Sequence, residues 1–144
     1  KEIIASYNEQ FNTLEAFTKS CIKLAREREY AETMMGRRRK LPGVNSNNGM
    51  VKAFAERNAV NAPIQGSAAD IIKVAMVKLF NELEKGDWKA KIIMQVHDEL
   101  VLDVPKDELE LLKPIVRECM ESAVEIIVPL IVDMKSGEDW LAAH

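Results

Sequence analysis

Two hydrophobic periodicities alternate along this chain, and each predicts a different kind of element. Apolar residues recur every three or four positions over 2–29, 50–85 and 107–126, which is typical of amphipathic helices. Two apolar runs around a polar tip predict a β-hairpin at about 91–104, and a run at about 130–134 predicts a strand able to pair with it. The pattern therefore predicts a mixed fold of amphipathic helices and antiparallel strands.

Polar residues and prolines predict where the helices begin and end. Asn12 or Thr13 is suited to cap a second helical segment in the first region, although one long helix is equally compatible with the pattern. Pro63 interrupts the second region and is suited to a first helical turn, which predicts separate helices at about 50–60 and 64–85.

Composition indicates a single soluble globular domain. The 144 residues are 47% hydrophobic and 30% charged, and the sequence contains no apolar run long enough to span a membrane. Cys21 and Cys119 lie far apart, which favours reduced, buried thiols in a cytoplasmic protein over a disulfide framework. Because the sequence begins at Lys1 within a helical pattern, we expect it to be a piece of a larger protein.

The net charge of −3 conceals an asymmetry between the two halves of the chain. Residues 1–80 contain 13 basic and 8 acidic residues, whereas residues 81–144 contain 7 basic and 15 acidic ones. Arg37, Arg38 and Arg39 contribute to the basic excess and lie on a segment with only weak strand character. Such arginines suit contacts with phosphates, while a solvated charge run is the commoner explanation.

The hairpin tip carries the most distinctive polar residues, Gln95, His97, Asp98 and Glu99. Two adjacent carboxylates are costly to desolvate and repel each other unless a cation lies beside them. A metal-binding hairpin and an ordinary exposed turn are both compatible with this pattern.

Arg57, Asn61 and Gln65 are spaced i, i+4 and i+8, so a continuous helix would align three hydrogen-bond donors on one side. The alternative is that Asn61 helps to cap the helix entered at Pro63, and that the other two side chains are simply exposed.

Four segments together resemble the C-terminal portion of a family A DNA polymerase of the bacterial DNA polymerase I type. They are Tyr30–Pro42 (YAETMMGRRRKLP), Ala55–Asp70 (AERNAVNAPIQGSAAD), Gln95–Val101 (QVHDELV) and Ser136–Trp140 (SGEDW). The resemblance implies that residues 1–50 are the end of the fingers subdomain, a helical remnant, and residues 51–144 the second half of the palm. It also implies an α+β fold, in which the hairpin at about 91–104 and the strand at about 130–134 form an antiparallel palm sheet backed by amphipathic helices.

The resemblance also implies template-directed addition of deoxynucleotides to a primer 3′-end by two-metal phosphoryl transfer. Asp98 would be one of two aspartates that hold two Mg²⁺ ions, with Glu99 as a supporting catalytic and metal-binding carboxylate. Because neighbouring side chains diverge on a strand, Asp98 is then the better candidate for the direct ligand. The implied partners are primer-template DNA, deoxynucleoside triphosphates and the remainder of the same polymerase chain.

The resemblance assigns DNA contacts to two further groups of residues. Arg57, Asn61, Gln65 and His97 match positions that approach the minor groove, where every Watson–Crick pair offers acceptors and a mismatch displaces them. Arg37, Arg38 and Arg39 would contact phosphates and provide affinity that depends on salt and not on sequence.

The family's other metal-binding aspartate, and the lysine and arginine that hold the triphosphate, lie outside these 144 residues, so we expect the chain alone to be inactive. The main alternative is a non-catalytic duplex-DNA-binding module derived from the palm. A phosphohydrolase site built on His97 and Asp98 lacks further histidine ligands, and a zinc site built on His97 and the two cysteines lacks ligand spacing.

Overall fold

The computed structural model describes residues 10–143 as an alternation of helices and short strands. Its elements in chain order are α1 (Asn12–Arg28), β1 (Tyr30–Glu32), β2 (Arg38–Lys40), α2 (Gly49–Lys85), β3 (Lys91–Val96), β4 (Glu99–Asp103), α3 (Leu109–Glu121) and α4 (Trp140–Ala143). The strands form two antiparallel pairs, β1 with β2 and β3 with β4. This mixture of helices and antiparallel sheet confirms the predicted α+β class.

The chain divides into two compact units, Lys1–Ala68 and Ala69–His144, with the boundary inside α2. The first unit buries Ala25, Ala31, Leu41, Val44, Ala55, Ala59 and Ala62. The second buries Leu79, Leu83, Ala90, Leu112, Val116 and Cys119. The predicted boundary between the fingers and palm subdomains at residue 51 is distinct from this boundary between compact units, and it stays a prediction.

Helix α1 begins differently from the predicted cap. Phe11 is the N-cap and makes no side-chain capping hydrogen bond, so Asn12 and Thr13 lie inside the helix. The part of the predicted 2–29 helix that precedes residue 10 lies outside the described residues. At the other end, Glu29 adopts a left-handed conformation (φ 59°) and its N–H donates to the Ala25 carbonyl, which ends the helix.

Helix α2 is continuous through Pro63, so the predicted break between 50–60 and 64–85 is wrong. Asn48 supports the start of the helix, because its Oδ1 accepts hydrogen bonds from the N–H groups of Met50 at 3.0 Å and Val51 at 3.4 Å. Proline removes one hydrogen bond from a helix interior without having to end it when the flanking turns are well supported. The suggestion that Asn61 caps a helix at Pro63 is therefore also wrong.

The predicted hairpin is present, with strands β3 and β4 joined by the two residues His97 and Asp98. Lys91 pairs with Asp103 at the open end and Val96 pairs with Glu99 beside the turn. The register shifts between Ile92 and Met94, which indicates a bulge. The apolar runs of the sequence thus correspond to the two strands.

The predicted strand at about 130–134 is absent, although the structure describes this segment in full. The Val132 N–H donates to Glu121 Oε1 at 3.0 Å, and the Val132 carbonyl accepts from Arg117 Nη1 at 3.1 Å. Side chains of α3 therefore bond both polar backbone groups that a neighbouring strand would need at this position. Helix α3 itself spans 109–121, shorter than the predicted 107–126.

Both cysteines are free thiols, as expected, but only Cys119 is buried. Cys21 is half-buried, so the expectation of two buried thiols is correct for one of them. None of the helices within residues 10–143 combines the length and the apolar character that crossing a membrane requires.

Candidate metal and nucleic-acid site

The turn of the β3–β4 hairpin is short and conformationally demanding. His97 has a φ of 52°, a conformation that is uncommon for residues other than glycine. The side-chain amide of Gln95 donates a hydrogen bond to the His97 carbonyl and so ties the strand to the turn. Asp98 directly follows this held residue, so the backbone from which its carboxylate projects is constrained on both sides.

The two carboxylates at the tip are accessible. Asp98 and Glu99 are both exposed, and no ion pair with either is found among the described residues. No group of three or more His, Cys, Asp or Glu side chains able to hold a metal is found within residues 10–143. Two accessible carboxylates fit a hard cation such as Mg²⁺, which accepts few protein ligands when phosphates and waters complete its shell.

The three donors predicted on α2 lie on one exposed side of a continuous helix. Arg57, Asn61 and Gln65 are all exposed, and eight residues of helix separate the first from the last by about 12 Å. The Arg57 guanidinium carbon lies 5.9 Å from the centroid of the Phe54 ring, which supports part of the side chain. The structure thus confirms the helical alignment of this row, which we call the donor row.

The three arginines near β2 have different surroundings. Arg37 Nη2 donates to the Gly66 carbonyl at 2.9 Å. Arg38 Nε donates to Glu32 Oε2 at 2.8 Å, and its guanidinium carbon lies 4.8 Å from the Tyr30 ring centroid. Glu32 raises the pKa of Arg38. Arg39 is exposed, with no hydrogen bond or ion pair found for its side chain among the described residues.

The candidate residues belong to different parts of the fold. The donor row and the three arginines lie in the first compact unit, and His97, Asp98 and Glu99 lie in the second. Sequence reasoning missed the contacts of Gly66 and the hydrogen bond of Gln95. The available signal for the first was a glycine inside a helical pattern, which lowers helix stability and so often has a packing reason.

The profile of DNA polymerase family A matches residues 1–142. The chain belongs to this family. DNA polymerase I of Lactococcus lactis subsp. lactis (strain IL1403) is 46% identical over 99% of the chain, and DNA polymerase I of Bacillus subtilis (strain 168) is 44% identical over 97%. The family A chain described here spans 16% of the length of each of these relatives.

A solved structure agrees with the sequence relatives. The POL domain of Pol1 from M. smegmatis, in complex with DNA primer-template and dNTP, matches with a TM-score of 0.94 and 41% identity. The match covers 97% of this family A chain and 25% of the other chain. The fold of the chain is therefore that of part of a polymerase domain.

Proposed function

We propose that this chain supplies part of the active site of a DNA-directed DNA polymerase, which adds deoxynucleotides to a primer 3′-end under the direction of a template. The observation that carries the proposal is the match over 97% of the chain to a POL domain in complex with DNA primer-template and dNTP. Within the polymerase, residues 1–50 would complete the fingers and residues 51–144 would form the second half of the palm.

Asp98 and Glu99 are the residues that would hold Mg²⁺. Mg²⁺ supplies charge stabilisation to the attacking and leaving oxygens of phosphoryl transfer when two such ions are bound. Asp98 lies in the turn and Glu99 begins β4. In line with the family resemblance, Asp98 would be the direct ligand and Glu99 the neighbouring carboxylate. Because no third ligand is found among the described residues, the remaining oxygens would come from the rest of the polymerase, the substrates and water.

The donor row would contact the minor groove of the primer-template duplex near its end. About 12 Å of helix corresponds to three or four base-pair steps, so neighbouring donors, about 6 Å apart, would reach pairs about two steps apart. Purine N3 and pyrimidine O2 accept hydrogen bonds in every correct pair, which lets the row sense pairing without sensing sequence. His97 would add a contact from the hairpin turn, and Arg39 is the arginine of β2 whose surroundings best suit a phosphate.

The second candidate function is a non-catalytic duplex-binding module, which the exposed donor row also suits. The two functions differ at Asp98. In the polymerase that contains this chain, Asp98→Asn should lower the rate of primer extension by at least about a thousandfold, because it removes a carboxylate whose negative charge binds the metal ion. The affinity for duplex DNA should stay within about threefold.

Asp103→Asn is the matched control, because Asp103 is an exposed aspartate at the opposite end of β4. We expect primer extension by this variant to equal that of the unmodified polymerase. Unchanged extension by Asp98→Asn would instead favour the binding module.

A further inference from the structure

We infer that the turn at residues 33–37 is a clamp that positions Gln65 on α2, and that Arg37 is a positioning residue of this clamp. The inference rests on the proposed minor-groove role of Gln65. It differs from the prediction that Arg37 contacts phosphate, because the guanidinium is assigned to a carbonyl of α2.

The turn is held by its own hydrogen bonds. The Thr33 N–H donates to the Arg37 carbonyl at 2.9 Å, and the Arg37 N–H donates to Thr33 Oγ1 at 3.2 Å. The Gly36 N–H donates to the Thr33 carbonyl at 2.9 Å, with Gly36 at a φ of 81° that suits glycine. These hydrogen bonds restrict the backbone of the turn, and so fix the position from which the Arg37 side chain extends.

Two hydrogen bonds join the turn to α2 directly beside Gln65. Arg37 Nη2 donates to the Gly66 carbonyl at 2.9 Å, and the Met34 N–H donates to Ser67 Oγ at 2.9 Å. The Ser67 hydroxyl in turn donates to the Pro63 carbonyl. The clamp therefore engages the two residues that follow Gln65 and, through Ser67, the residue two before it.

Gly66 is what allows this close approach. A Cβ at position 66 would lie 2.5 Å from Thr33 Cγ2 and 3.5 Å from Arg37 Nη2. Glycine lowers helix stability by about 1 kcal/mol relative to alanine. The close packing of the turn against position 66 explains why a glycine is nevertheless found inside α2.

The helix needs external support at this position because of Pro63. Proline has no N–H, so the Ala59 carbonyl lacks its usual hydrogen bond from four residues ahead. The weakened turn spans residues 59–63 and so lies between Arg57 and Gln65. Without support it would let Gln65 shift relative to Arg57. The clamp restores a fixed geometry just after the weak point.

The test compares Arg37→Met with Arg39→Met in the polymerase that contains this chain. Both variants remove one arginine from the same segment. Arg37 donates to the Gly66 carbonyl of α2, whereas no hydrogen bond from Arg39 to α2 is found among the described residues. The measurements are the rate of single-nucleotide extension from matched and terminally mismatched primers, and the salt dependence of the affinity for duplex DNA. A clamp predicts that Arg37→Met lowers matched-primer kcat/KM about three- to tenfold, narrows the matched-to-mismatched ratio and leaves the salt slope unchanged.

Arg39→Met should leave the matched-to-mismatched ratio unchanged. A phosphate contact at Arg37 would instead reduce the salt slope by about one unit and lower extension of both primers equally. That result would overturn the inference.

A double-mutant cycle with Gln65→Ala tests whether the clamp acts through Gln65. If it does, adding Arg37→Met to Gln65→Ala produces little further loss of discrimination, and Gly66→Ala behaves as Arg37→Met does. Independent, multiplicative losses would overturn the inference while leaving the proposed function intact. If Gln65→Ala alone leaves matched and mismatched extension unchanged, the proposed minor-groove role is wrong and the positioning role falls with it.

Discussion

Gln95 is the residue on which the conformation of the hairpin turn most directly depends. Its side-chain amide donates to the carbonyl of His97, which has a φ of 52° and lies between the two paired strands. We expect Gln95→Leu, which removes the donor at similar size, to lower the rate of primer extension about three- to tenfold, since one net hydrogen bond is lost next to Asp98. The measurement is kcat for single-nucleotide incorporation by the polymerase.

Lys91→Leu is the control for this prediction, because Lys91 is an exposed residue at the opposite end of β3. Its kcat should stay within about twofold of the unmodified value, as is usual for exposed positions away from such features. Equal effects of the two substitutions would mean that the amide of Gln95 has no particular role in the turn.

Cys119 provides a residue-scale prediction about pH. Burial raises the pKa of its thiol above the usual value of 9.0, and Glu82 and Glu118 act in the same direction. The folded state therefore holds this proton more tightly than the unfolded state. The contribution of the protonated Cys119 thiol to the free energy of unfolding is complete below about pH 9. It is lost as the pH rises through the pKa of the thiol in the folded state.

We expect alkylation of Cys119 by iodoacetamide to have a pH midpoint above 9 in the folded protein and near 9 in urea. The Cys21→Ala background isolates the signal, because the pKa of Cys21 is also raised by burial. A folded midpoint at or below that of the unfolded chain would contradict the assignment.

At the scale of elements, Pro63 separates what the sequence predicts from what the tertiary structure decides. A proline lowers the stability of a helix interior by about 3 kcal/mol, so a predicted boundary at Pro63 was reasonable. The contacts of Ser67 and Gly66 with the turn at 33–37 are non-local and have no periodic signature. They support the helix across the proline, and a pattern-based prediction has no access to them.

Pro63→Ala should restore the missing N–H and slow the opening of α2. We expect hydrogen exchange of the amides at residues 60–67 to slow by about tenfold or more, as measured by mass spectrometry on the polymerase. Pro114→Ala is the matched control, since Pro114 lies inside α3 and its substitution should affect exchange only in that helix. Faster exchange at residues 60–67 would show that the proline is required for the helix as it stands.

The hairpin and the segment at 130–134 show the same contrast for strands. Both halves of the hairpin lie within one stretch of sequence, and their pairing is local, so apolar runs around a two-residue polar tip were enough to predict it. The apolar run at 130–134 has a similar composition. Its backbone at Val132 is bonded instead by Arg117 and Glu121, which composition does not reveal.

The candidate site divides in the same way. The spacing of Arg57, Asn61 and Gln65 and the carboxylates of the tip were predictable, because they depend on helical period and on a local turn. The support for Gln65 and for the turn was not, because it comes from side-chain contacts with Arg37 and Gln95 that spacing does not encode.

For the whole molecule, charge is distributed according to the roles proposed for the two compact units. Residues 1–68 contain 11 basic and 7 acidic residues, and residues 69–144 contain 9 basic and 16 acidic ones. The basic unit carries the donor row, which would meet a polyanion, and the acidic unit carries the carboxylates, which would meet a divalent cation. Each unit thus has the charge that suits its proposed ligand.

The same division leads to the last prediction, that the purified 144-residue chain does not extend a primer. The described residues contain the two carboxylates of one hairpin tip and no group of three metal-ligating side chains. A metal ion at the tip would therefore lack the further protein ligands that metal-assisted phosphoryl transfer needs. We expect no extension product with primer-template DNA, Mg²⁺ and four deoxynucleotides, whereas the polymerase that contains this chain should extend the primer under the same conditions.

The Asp98→Asn variant of the 144-residue chain is the control for a contaminating polymerase, because contaminating activity would persist in it. Extension by the unmodified chain that disappears with Asp98→Asn would establish that these residues are sufficient for synthesis and would contradict the prediction.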